Sequence, residues 1–139
     1  MCPLTTTPAH RHRRLAFPPG DRKGCVRRGI DFTRLALADW RPDADAVVVD
    51  DVLLVAAELL ANAVDHAGGP VVMDLRLAPR ARRMRIEVAD ASPARPRIRP
   101  ARPEEPHHRG LRIVDHIAAA WGSRPDGTGK TVWAALRLP

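Results

Sequence analysis

Residues 58–67 read ELLANAVDHA, a run of Leu, Ala and Val interrupted by Glu58, Asn62, Asp65 and His66. The approach, DDVLLVAA over 50–57, is nearly continuous apolar sequence. A core helix rarely carries polar groups without partners, because burying an unpaired one is costly. The spacing resolves the conflict. Glu58, Asn62 and Asp65 or His66 stand at i, i+4 and i+7 or i+8, so they share one helical face. Glu58 and Asn62 are then about 6 Å apart along the axis. One carboxylate and one amide oxygen at that separation can serve a single bound ion or reacting group.

Working outward, the segment from Asp43 to Ala67 contains neither Gly nor Pro and stops at Gly68-Gly69-Pro70, a helix ended in the usual way. Upstream, Val26, Ile30, Thr33, Leu37 and Trp40 repeat at helical spacing, which predicts an amphipathic helix over about 21–40. Arg14 to Phe17 reads as a short edge strand, and residues 1–13 as a disordered tail. Downstream, VVMDLRL (71–77) and MRIEVAD (84–90) alternate with Val71, Met73, Leu75, Leu77, Met84, Ile86 and Val88 on one face. The insert APRARR joins them as a hairpin. Residues 91–109 carry Pro93, Pro96, Pro100, Pro103 and Pro106, and a structureless loop of that length is uncommon unless functional. Leu111, Val114, Ile117, Ala118 and Trp121 mark a third helix, 122–129 a turn, and KTVWAALRL (130–138) a last strand. The fold expected over 14–139 is an α+β two-layer sandwich, a mostly antiparallel sheet covered by helices on one face.

Composition narrows the function. A chain of 139 residues supports one core. It has no apolar run long enough to span a membrane, and its basic N-terminus lacks an apolar core, so a cytoplasmic location is expected. Two cysteines make no disulfide framework, and no Cys/His spacing resembles a zinc site. The net charge of +7 invites a nucleic-acid reading, but the arginines are scattered and no aromatic residue sits in a basic run. An anionic ligand and an acidic protein partner suit the charge better than direct nucleic-acid contact.

Three further marks stand at element ends. Asp90 closes the second hairpin strand, Arg109-Gly110 opens the third helix where an anion is favoured, and Gly129-Lys130-Thr131 opens the last strand. Together these segments resemble the GHKL ATPase superfamily (gyrase, histidine kinase and MutL type), most closely its anti-sigma-factor serine-kinase branch, with the Bergerat ATP-binding fold. ELLANAVDHA resembles the N box, and VADASPARP (88–96) a shortened first glycine box, Asp-x-Ser-Pro. RGLRIVDHIAAAWG (109–122) resembles the second glycine box and its helix, and GKTVWAALRL the closing strand.

The resemblance implies a role for each matching residue. Asn62 would hold Mg²⁺ through its side-chain oxygen, with the metal bridging the phosphates of ATP; magnesium takes few protein ligands, so one is sufficient. Glu58 would be the general base for γ-phosphoryl transfer. Asp90 would accept from the adenine amino group, and Thr131 would help hold the adenine edge. Arg109, Gly110 and Leu111 would face the phosphates, with 91–109 as a lid. Gly129 and Lys130 complete the nucleotide-binding set; Lys130 reads either as a phosphate contact or as an exposed strand residue. The partners implied are a sigma factor and a small Ser-bearing antagonist, with the domain acting as a homodimer.

The sequence departs from the family at His108, where a glycine usually stands two residues before Gly110. A side chain there would either obstruct the phosphates or, as part of a protonated His107–His108 pair, add positive charge. The alternative function is therefore a catalytically inactive module of the same fold that regulates transcription by protein contact alone. Taken singly, Glu58 and Asn62 could lie on a solvated stripe and Asp90 could be only an Asx turn.

Overall fold

The computed structural model describes residues 11–20, 22–93 and 110–139. The elements run β1 (Arg11–Ala16), α1 (Cys25–Trp40), α2 (Ala46–Ala67), β2 (Pro70–Ala78), β3 (Arg83–Asp90), α3 (Gly110–Ile117), β4 (Ala120–Asp126) and β5 (Gly129–Arg137). The strands form one sheet in the order β1-β2-β3-β5-β4, with each neighbouring pair antiparallel. The central helix, α2, touches α1, α3 and strands β2, β3 and β5. This is the expected α+β sandwich. No helix among the described residues is long and apolar enough to cross a membrane.

Local chemistry sets the limits of α2. The Asp45 carboxylate accepts the Val48 N–H at 3.0 Å, satisfying one of the donors that every helix start leaves open. At the other end Gly68 adopts the left-handed conformation with φ 76°, and the Gly69 N–H returns to the Ala63 carbonyl. Between them Val52, Val55, Ala56, Leu59, Leu60 and Ala63 are buried, at alternating spacings of three and one that make one stripe. The sheet answers with Met73, Leu75 and Leu77, with Met84, Ile86 and Val88, and with Val132, Ala134 and Leu136, all buried. Val71 departs from the expected alternation and is 51% exposed, because an irregularity between Pro70 and Val72 shifts the register there.

The buried face of α1 is also turned from the one that hydrophobicity suggests. It consists of Cys25, Gly29, Thr33, Ala36, Leu37 and Trp40. Gly29 sits where a Cβ would run into Leu60, so the absence of a side chain brings the two helices together. The Thr33 hydroxyl is buried yet satisfied, donating to the Gly29 carbonyl at 2.7 Å.

Two expected boundaries change. First, β1 begins at Arg11, so residues 11–13 belong to a strand paired with β2, while residues 1–10 lie outside the described residues. Its basic side chains are matched across the strand: His12 lies 2.6 Å and Arg14 2.8 Å from Asp74. Second, the third helix stops at Ile117. Trp121 and the residues read as a turn form β4, the edge strand beside β5. Gly122 and Pro125 hide this strand from a search for alternating apolar residues, and an edge position tolerates Pro.

The face of the sheet away from the core carries the two carboxylates of Asp74 and Glu87, both buried under arginines. Burial pushes each carboxyl up. Hydrogen bonds from Arg14 and His12 to Asp74, and from Arg85 and Arg124 to Glu87, outweigh that effect and leave both below their ordinary values. The Arg85 guanidinium also lies 4.2 Å from the Trp133 ring centre, within cation–π range.

Candidate functional site

Antiparallel pairing gathers several of the sequence-predicted residues at one end of the sheet. Two glycines after α2, the chain enters β2 at Pro70, which pairs with Asp90, and Asp90 pairs with Lys130 at the start of β5. The last turns of α2, the exit of β3 and the entry of β5 therefore meet there. Glu58 and Asn62 lie on those turns, flanking the buried stripe, and each is half-buried. Among the described residues neither side chain makes a hydrogen bond. Burial, with a smaller contribution from the negative charge of Asp65, pushes the Glu58 carboxyl above its ordinary value. That is the direction wanted in a carboxylate that must take up a proton. Asp65 and His66 are exposed.

Asp90 is buried at the end of β3, on the core side of the sheet in line with Val88 and Ile86. Its Oδ1 accepts the Ser92 N–H at 2.9 Å, an Asx turn that ends the strand. Lys130, directly opposite on β5, donates to the same oxygen at 3.0 Å and to the Ser92 carbonyl at 3.3 Å. Its Nζ also lies 3.0 Å from Oδ2, yet Oδ2 has no partner in hydrogen-bond geometry. That second contact is one of charge without direction. Lys130 is thus not the exposed strand residue of the sequence reading. It is 4% exposed, and its ammonium is held by Asp90 because a buried cation requires a counter-ion.

The remaining residues divide. Gly129 is buried against the end of β3: a Cβ there would overlap the Asp90 carbonyl and lie 2.9 Å from Ala91 Cα. Thr131 follows Lys130 on an extended strand, so its side chain points to the opposite face of the sheet. There it donates to Asp126 Oδ2 at 2.9 Å, away from Asp90 and Lys130. Gly110 is the first residue of α3 and Leu111 is buried. Arg109, His107, His108 and all but the first three residues of the expected lid lie outside the described residues. Sequence reasoning missed the contact of Lys130 with Asp90. Its signal is the register between β3 and β5, which sets Lys130 opposite Asp90 and cannot be read from either strand alone.

Residues 28–136 match the histidine kinase-like ATPase domain family. The chain belongs to that family. Its fold is also that of a solved structure containing the RsbU and RsbW domains of Rv1364c from Mycobacterium tuberculosis, with a TM-score of 0.64 and 19% identity. The match covers 93% of this chain but 32% of the other, so the ATPase-family domain spans about a third of that protein's solved length. No curated protein sequence matches the chain significantly.

Proposed function

We propose that this ATPase-family domain binds ATP with Mg²⁺ on the helix-covered side of the sheet, at the end where α2, β3 and β5 meet. There it serves as an anti-sigma regulatory kinase in the cytoplasm. The observation that supports this reading is that α2, which carries Glu58 and Asn62, runs through Gly68-Gly69 into Pro70, the residue paired with Asp90. The resemblance of the sequence motifs to the anti-sigma serine-kinase branch supports that finer assignment.

Each side chain suits its part. Asn62 offers a neutral oxygen that is half-buried and makes no other hydrogen bond among the described residues. Those residues contain no cluster of three His, Cys, Asp or Glu able to cage an ion, which fits a metal that arrives on phosphates. When bound, Mg²⁺ would offset charge developing on the phosphates. Glu58, its carboxyl raised by burial, would orient an incoming Ser hydroxyl of the antagonist and take its proton. Asp90 would receive the amino group of the base. The same domain, as a homodimer, would hold the sigma factor.

Calorimetric titration with ATP, with and without Mg²⁺, tests the site. Wild-type protein should bind in a magnesium-dependent way, and Asn62→Ala and Asp90→Asn should lose most of that binding. Absence of binding to the folded wild type would overturn the reading. One observation favours a second function, a module that grips a protein partner without turnover: Lys130 already engages the carboxylate meant for the base. Transfer of the γ-phosphate to a Ser-bearing partner, abolished in Glu58→Ala with partner binding intact, would exclude it.

A further inference from the structure

Lys130 changes what the base pocket can recognise. Its ammonium is 3.0 Å from both oxygens of Asp90, and the side chains of the pair are 5% and 1% exposed. Asp90 Oδ1 accepts from Ser92 and Lys130, whereas the buried Oδ2 makes no directional bond. A buried carboxylate oxygen without a donor is an unusual and costly arrangement. A ligand that brings an N–H to it relieves that cost.

A base can reach Asp90 in two ways: by expelling Lys130 or by sharing the carboxylate with it. Expulsion breaks a buried ion pair and leaves an ammonium without its counter-ion, which is strongly unfavourable. Sharing keeps the pair and uses the open lone pairs of Oδ2, since an ionised carboxylate has about four acceptor positions. Sharing is therefore the favoured course. It leaves a donor, the Lys130 ammonium, beside an acceptor, Asp90 Oδ2, at the edge of the base.

We propose, resting on the nucleotide reading above, that Asp90 and Lys130 read a purine edge together, and that Lys130 admits guanine nucleotides beside adenine nucleotides. Adenine presents its 6-amino donor to Asp90 and its N1 acceptor to Lys130. Guanine presents the reverse pattern, its O6 acceptor to Lys130 and its N1–H donor to Asp90. A lone carboxylate facing guanine O6 would meet another electron-rich oxygen and repel it. The ammonium removes that repulsion. Lys130 is a specificity residue of the site, and no chemistry passes through it.

The test is equilibrium titration of the full chain with ATP and with GTP in the presence of Mg²⁺, followed by displacement of bound ATP by GTP. It uses wild type, Lys130→Thr and Lys130→Arg, with circular dichroism to confirm folding. Wild type should bind the two nucleotides within about tenfold of each other, and GTP should displace ATP. Lys130→Thr should shift the ratio towards ATP by roughly tenfold or more, the scale set by a paired hydrogen-bond contact to a base. Lys130→Arg should keep guanine binding. A wild-type preference for ATP beyond about a hundredfold would overturn the proposal. So would GTP that fails to compete, or an unchanged ratio in folded Lys130→Thr. If the threonine variant does not fold, the wild-type ratio and the arginine variant still decide. Absence of binding by either nucleotide to wild type would sink the nucleotide reading itself, and this proposal with it.

Discussion

Breaking the Lys130–Asp90 pair from one side should unfold the domain far more readily than removing both partners. In Lys130→Met, Asp90 keeps the Ser92 N–H at 2.9 Å but loses the cation 3.0 Å from each oxygen. In Asp90→Leu, the ammonium keeps only the Ser92 carbonyl at 3.3 Å. With the side chains 5% and 1% exposed, a charge left alone there is not hydrated as it is in the unfolded chain. Each single variant should therefore lose about 3–5 kcal/mol, the usual result of stranding one member of a buried pair. For a domain of this size that lowers the melting temperature by roughly 10–20 °C. The double variant strands no charge and gives up mainly the Ser92 hydrogen bond, about 1 kcal/mol. Urea unfolding followed by the fluorescence of the three tryptophans measures all four corners of the cycle, and an unchanged m-value shows that the unfolding reaction is the same. The reasoning fails if either single variant loses less than about 1 kcal/mol, the scale of a surface pair. It fails equally if the double variant loses the sum of the singles.

Three other outcomes are expected. Acid should weaken the fold through Asp74 and Glu87: both carboxyls are held below their reference values of 3.8 and 4.5. Their stabilisation is therefore complete above those values and is lost as the pH falls through the lower folded ones, a trend that Asp74→Asn with Glu87→Gln should flatten in melts between pH 6 and about pH 3. Glu58 has the opposite sign, since its raised carboxyl opposes folding when ionised. Glu58→Gln should melt no lower than wild type at pH 7 while losing phosphotransfer; a clear drop in melting temperature would show that the carboxylate is structural. Gly129→Ala forces a Cβ onto the Asp90 carbonyl and should cost about 1–3 kcal/mol in urea unfolding together with nucleotide binding, whereas a neutral result would mean that the two strand ends separate easily.

The sequence determined most of the features that depend on neighbours within one element. The helical period placed Glu58 and Asn62 together on α2, and period-two alternation found β2, β3 and β5. It also marked Asp90 and Gly129 as residues at element ends. It could not show β4, because an edge strand contributes little apolar alternation and this one contains Gly122 and Pro125. It turned α1 slightly wrongly, because a buried glycine adds nothing to a hydrophobic pattern although Gly29 is where Leu60 fits. It could not choose a partner for Thr131 or for Lys130. Those are matters of register between β5 and its two neighbours, β4 for Thr131 and β3 for Lys130, whose paired residue Asp90 is 40 positions away. Only the closed sheet brings that carboxylate and that ammonium into contact, and only burial makes them dependent on each other.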